Sequence, residues 1–225
     1  MHQFNLISQN KEKLILFFCG WGMDYTPFFG LESKDYDVVV FYKYTKIETD
    51  FNFADLFLKY KEINLISWSM GVWYSSLVMG GLINKLNYKI AINGTLKPID
   101  DNFGINTKVY EATIQNFSKI GRAKFFKRMW NNIEIPKRFL SESTIREIEE
   151  QKEELIFLQK NIQTLQEPKN IFDKVIIASN DLICPTQNQI NYWNTKTQYK
   201  TLNTSHFAFY LWQFWDEIIE YAITD

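Results

Sequence analysis

The stretch that decides the fold is Ile63-Asn64-Leu65-Ile66-Ser67-Trp68-Ser69-Met70-Gly71-Val72-Trp73. A β-branched apolar run passes into a tight turn and then into a helix-forming sequence, with Ser69 at the apex. This is the pattern of a nucleophile elbow, in which the turn exposes the serine hydroxyl at the carboxyl end of a strand. Such a turn strains the backbone at the serine, so small residues are needed two positions to either side, where strand and helix approach. Gly71 meets that need, and Ser67 stands where glycine is usual. The pentapeptide alone also fits a serine capping a helix.

Outward from this turn, short apolar runs recur at Leu14–Cys19, Asp37–Tyr42, Ile63–Ser67, Lys89–Ile92, Lys174–Ala178 and Gln198–Thr201. Alternating with helix-length segments, they predict a mostly parallel central sheet flanked by helices, with reactive groups at the carboxyl ends of the strands. The strand rhythm stops between Ile92 and Lys174, too long an interval for an ordinary connection. A helical cap inserted at approximately 103–168 is expected within a single domain spanning 1–225. One of its helices is predicted to start near Thr144, where Thr144 and Glu147 have capping-box spacing, and to continue with an apolar stripe from Ile145 to Leu165. Phe207 to Ile223 reads as a closing helix.

A serine hydroxyl needs a base, and the chain holds two histidines. His2 is terminal, reads as a mobile end and is set aside. His206 follows the last predicted strand, and Asp181 follows the strand Lys174–Ala178. The order Ser69, Asp181, His206 is that of the α/β-hydrolase fold. Asp100 and Asp101, after the preceding strand, are rival acids. The early strand runs into Cys19-Gly20-Trp21-Gly22, whose amides can point freely. In this fold one oxyanion donor comes from that loop and the other from the residue after the nucleophile, here Trp21 and Met70.

Composition narrows the classes. With 25 basic and 26 acidic side chains in 225 residues, the net charge of −1 offers no global attraction for nucleic acid or a membrane surface. The run Leu14–Cys19 is too short to span a bilayer and leads to Gly-Trp-Gly instead of a cleavage site, so a cytoplasmic protein is expected. Cys19 and Cys184 lack metal-ligand spacing and read as buried free thiols. No metal or other cofactor is called for.

Cys-Gly-Trp-Gly-Met-Asp at 19–24, Ser-Trp-Ser-Met-Gly-Val-Trp at 67–73, Asn-Gly-Thr-Leu-Lys-Pro-Ile-Asp at 93–100 and Ser-His-Phe-Ala-Phe at 205–209 together resemble the BioG-type pimeloyl-[acyl-carrier protein] methyl ester esterases. Relative to the BioH esterases, which the chain resembles in its Gly-Trp-Gly and Trp-Ser elements, Cys19 stands where histidine is usual. The resemblance implies removal of a methyl ester from pimeloyl bound to an acidic acyl carrier protein, late in assembly of the biotin precursor. It also implies a basic surface near the site. Lys119, Arg122, Lys124, Lys127 and Arg128, then Lys137 and Arg138, cluster in the expected cap with only Glu134 against them. Arg122, Lys124, Lys127 and Arg128 are the candidate carrier contacts, although the same pattern fits the solvated face of an amphipathic helix. On helical spacing Lys124, Lys127 and Arg128 share one face and Phe125, Phe126, Met129 and Trp130 the other. Trp21 and Trp68 are expected to wall the site, with Phe125, Phe126 and Trp130 enclosing the acyl chain. A thioesterase or short-chain carboxylesterase with the same residues stays open, as does a non-catalytic hydrolase-fold protein that binds a partner through its cap.

Overall fold

The computed structural model describes residues 1–49, 51–131 and 133–224. Seven strands form one sheet: β1 (His2–Ile7), β2 (Lys13–Phe18), β3 (Tyr36–Tyr42), β4 (Glu62–Trp68), β5 (Lys89–Ile92), β6 (Lys174–Ala178) and β7 (Tyr199–Leu202). Their spatial order is β1-β3-β2-β4-β5-β6-β7. All pairings are parallel except that of β1 with β3. Strand β2 is fully apolar after its first residue because both faces are covered: Leu14, Leu16 and Phe18 join the core on one side, Ile15 and Phe17 that on the other. The first core is covered by α1 (Phe53–Lys59), α2 (Met70–Met79) and later helices, the second by the C-terminal helix. The architecture is that of an α/β hydrolase.

Order β3-β2-β4 makes the gap between β2 and β4 the point where successive strands are added on opposite sides. Ligands of such sheets bind in the crevice beyond that gap. The Gly20 loop and Ser69 lie there, one after each strand.

Between β5 and β6 lie α3 (Thr107–Gln115), α4 (Lys119–Met129), α5 (Lys137–Glu142) and α6 (Ile148–Thr164). After β6 come α7 (Thr186–Trp193) and α8 (Trp215–Ile223). Three sequence expectations change. His2 is not a loose end: it opens β1 and pairs with Tyr42. The helix foreseen from Thr144 starts at Ile148, because the Thr144 hydroxyl donates to Asp24 Oδ2 at 2.7 Å and accepts the Arg146 amide at 3.1 Å, so no capping box forms there. The segment from Phe207 is helical only as a short turn at Phe209–Leu211 and again from Trp215. Phe207 and Phe209 are held by ring contacts with Trp68 and Phe28, and that packing overrides helical spacing. Among the described residues, no helix is long and apolar enough to cross a membrane.

Candidate active site

The turn after β4 places Ser69 at φ 55°, ψ −124°, a left-handed conformation costly for any residue with a Cβ. Surroundings enforce it. The Ser69 amide donates to the Ile92 carbonyl at 2.9 Å, and its carbonyl accepts from the Val72 amide at 3.0 Å. A Cβ on Gly71 would lie 2.4 Å from the Phe18 carbonyl oxygen and 2.5 Å from that of Cys19, which excludes every other residue. Ser67 fits in place of glycine because its buried hydroxyl shares a 2.7 Å hydrogen bond with Ser75 on α2, leaving no unpaired polar group.

His206, between β7 and α8, has Nε2 3.0 Å from Ser69 Oγ and Nδ1 2.7 Å from Asp181 Oδ2. An ionised carboxylate only accepts, so Nδ1 carries the proton and Nε2 is bare toward the serine. The imidazole is oriented from behind: its residue's carbonyl accepts from Trp68 Nε1 at 3.0 Å and from Asn93 Nδ2 at 2.9 Å. Asn93 is fixed in turn at φ 50°, its Oδ1 accepting from the Ala178 amide. Asp181 Oδ1 accepts from the Ile183 and Cys184 amides, and Oδ2 also from Gln189 Nε2 at 2.9 Å. These donors fix the orientation of the buried carboxylate. The rival acids are occupied elsewhere. Asp100 Oδ1 accepts from the Asn102 and Phe103 amides and Asp101 Oδ1 from the Thr107 amide, so both close local turns.

Trp21 and Met70 line the same cleft as Ser69, and among the described residues neither backbone amide is taken by a hydrogen bond. That of Met70 is free because it opens α2, where the first N–H groups have no intrahelical partner. Unengaged backbone donors lining the cleft that holds the serine are the kind of group that can receive the oxygen of a carbonyl under attack.

Above them is a cleft with about 500 Å³ of empty space, its open mouth included. Trp21, Trp68 and Phe125 line it, the Trp21 and Phe125 rings meeting edge to face at 4.9 Å between centroids. Phe126 and Trp130 do not. They turn into the core beneath α4, where Phe126 packs on Phe139 and Trp130 on Phe207. Their places are taken by Met129 of α4, Leu155 of α6, and Val109 and Thr113 of α3. The i, i+4 spacing of Val109 and Thr113, continuing from Ile105, was the available signal for this wall. Gln189 carried none, since a lone amide announces nothing about its partner, and Asn93 stood out only as part of the 93–100 stretch in the family resemblance, with no bond to His206 legible from it.

The basic residues divide. Lys124 and Lys127 are exposed, whereas Arg122 reaches inward to the Arg146 carbonyl at 3.2 Å and Gln151 Oε1 at 3.5 Å. Arg128 lines an open pocket together with Lys124, and it also reaches the cleft and donates to the Leu182 carbonyl at 2.7 Å. Arg138 pairs with Glu142 and lies over the Tyr210 ring. Both cysteines are buried, and burial pushes their thiols well above the ordinary range. No group of three or more His, Cys, Asp or Glu side chains able to hold a metal ion occurs among the described residues.

A family model described as pimeloyl-ACP methyl esterase BioG matches residues 2–218. The chain belongs to that family. The crystal structure of BioG from Haemophilus influenzae superposes with a TM-score of 0.84 at 27% identity, covering 96% of this chain and 99% of that one. Malonyl-[acyl-carrier protein] O-methyltransferase of Bacteroides fragilis (strain 638R) is 36% identical over 183 residues, 81% of this chain. This chain spans only 37% of that relative's length. A lipase-esterase related protein from Clostridium acetobutylicum shares the fold at 14% identity, with a TM-score of 0.60 over 90% of each chain.

Proposed function

We propose that this member of the BioG family hydrolyses the methyl ester of a pimeloyl chain carried on acyl carrier protein, with Ser69 as nucleophile, His206 as general base and Asp181 as the acid that orients it. The observation that carries the reading is the continuous bonding from Asp181 through His206 to Ser69 Oγ beneath an apolar cleft. Ser69 Oγ adds to the ester carbonyl as its proton passes to His206 Nε2. The carbonyl oxygen, now anionic, is received by the Trp21 and Met70 amides. Collapse returns the proton to the departing methoxide, which leaves as methanol, and water then attacks the acyl-enzyme by the same route in reverse roles.

Helices α3 to α6 act as a cap over this chemistry, and the aliphatic acyl chain lies between Trp21, Phe125 and Met129. The Bacteroides fragilis relative is named for adding a methyl group to malonyl on the same class of carrier, and hydrolysis of a methyl ester is the chemical complement. An acidic carrier would be captured by the exposed Lys119, Lys124 and Lys127 at the cap, with Arg128 at the inner edge of the mouth.

The test is a comparison of two bonds in one substrate. Purified protein given pimeloyl-carrier methyl ester is expected to cleave the oxygen ester and leave the carrier thioester intact. Preferential thioester cleavage would instead support a thioesterase. Growth of a biotin auxotroph lacking its pimeloyl esterase is expected to be restored by the wild-type chain and not by Ser69→Ala.

A further inference from the structure

The loop that carries the Trp21 amide has a glycine on either side of Trp21, and its internal backbone bond runs from the Met23 amide to the Gly20 carbonyl at 3.4 Å. Gly22 sits at φ +77°. Its anchors come from α6 and the residues just before it. The Gly22 amide donates to Glu154 Oε2 at 3.2 Å, and its carbonyl accepts from Gln151 Nε2 at 2.7 Å. Trp21 Nε1 donates to the Gln151 carbonyl at 2.7 Å. Glu154 is fully buried; its Oε1 accepts from the Tyr44 amide at 2.6 Å, and its Oε2 pairs at 2.6 Å with Arg146, which also reaches the Met23 carbonyl at 3.4 Å. Two consecutive peptide planes, Trp21–Gly22 and Gly22–Met23, are thus pinned by side chains more than 120 positions along the chain. The Trp21 amide belongs to the plane immediately before them.

A buried carboxylate–guanidinium pair contributes little net stability compared with apolar side chains of similar volume. What it supplies is direction, since each oxygen of Glu154 accepts a backbone N–H from a different loop. From this geometry we infer that Glu154 and Gln151, braced by Arg146, are positioning residues that aim the Trp21 amide at the oxyanion, so that the insertion sets the reactivity of the site it covers. The inference rests on the reading of Trp21 N–H as an oxyanion donor.

The test uses the full chain with Gln151→Met, which keeps length and removes the bond to Gly22, and Glu154→Gln, which can satisfy only one of its two backbone donors. Two measurements are made: turnover of dimethyl pimelate, a small soluble ester, and affinity for an alkyl trifluoromethyl ketone, which forms a tetrahedral adduct with the serine. Each variant is expected to lose on the order of 10²-fold in kcat, the effect of losing one oxyanion donor, with KM changed less than about threefold. Ketone affinity is expected to fall by the same factor as kcat/KM, which a loss of packing elsewhere would not produce. The inference is overturned if kcat stays within about twofold in a folded variant, if KM carries the loss, or if ketone affinity is unchanged. Should Glu154→Gln fail to fold, Gln151→Met decides. An inactive wild type that still binds the ketone would count against the esterase reading, whereas equal ketone affinity in all three proteins would count against the positioning role.

Discussion

The sheet side of the site and the helical side are built on different principles. On the sheet side, Ser69, Asp181 and His206 each follow a strand, and their geometry derives from strand order and from turns closed within a few residues. On the helical side, Thr144, Arg146, Gln151 and Glu154 reach the loop at Trp21–Asp24 from across the chain, in addition to local bonds such as that from the Thr26 amide to Asp24 Oδ1. The proposed triad is therefore held by neighbouring strand ends and the bonds between them, and the proposed oxyanion loop and the cleft by contacts from the insertion. Substitutions on the two sides should fail in different ways, the first losing chemistry with the fold intact, the second trading stability, binding and loop placement.

The largest effect is expected at the strand ends. Ser69→Ala and His206→Ala should each abolish nearly all turnover without a loss of thermal stability, and Asp181→Asn should lower kcat about 10⁴-fold. Steady-state kinetics alongside melting curves check this. Asp100→Asn and Asp101→Asn should stay near wild type in kcat, since both carboxylates serve turns. Large losses there with an active Asp181→Asn would break the assignment of the acid.

How much of this could be read from the chain follows the same division. The elbow, the loop at Cys19–Asp24 and the order of serine, aspartate and histidine were legible because each motif is a contiguous peptide whose backbone demands are written in its own residues. Strand β1 was not, because His2–Ile7 is a half-exposed edge whose mixed polarity resembles a terminus until β3 is beside it. Thr144 and Glu147 had the spacing of a helix start, yet Asp24 competes for the threonine hydroxyl. On α4, spacing separated charged from aromatic residues but could not tell which aromatics meet the cleft and which the core, since the helix packs on both.

Neighbouring aromatics on α4 sharpen the contrast between cleft and core. Phe126→Ala should destabilise the protein by about 3–5 kcal/mol in denaturant unfolding, the usual range for a buried phenylalanine. Phe125→Ala should cost much less stability and instead raise KM for a carrier-bound or long-chain ester. Equal loss of stability in both would mean that Phe125 belongs to the core.

A smaller effect is expected at the surface. Lys124→Glu with Lys127→Glu should raise KM several-fold for carrier-bound substrate and leave a small ester unchanged, and added salt should mimic the double variant because exposed charges are screened over about 8 Å at physiological ionic strength. If both substrates slow equally, the lysines support α4 instead of the carrier. Smallest of all, Cys19 and Cys184 should resist iodoacetamide at neutral pH in the native chain, since burial holds both thiols protonated. Rapid labelling of Cys19 in the folded protein would show that the loop after β2 opens, and of Cys184 that the segment after β6 does.

The most direct test of the central assignment is mass spectrometry of pimeloyl-carrier methyl ester after incubation with wild type and with Ser69→Ala. With wild type, the carrier-bound species is expected to lose the mass of one methylene unit, methyl ester to acid, with the thioester to the carrier intact; with Ser69→Ala it should remain unchanged. Release of the carrier as its free thiol, or equal demethylation by Ser69→Ala, would contradict the assignment of this chain as a serine esterase acting on that methyl ester.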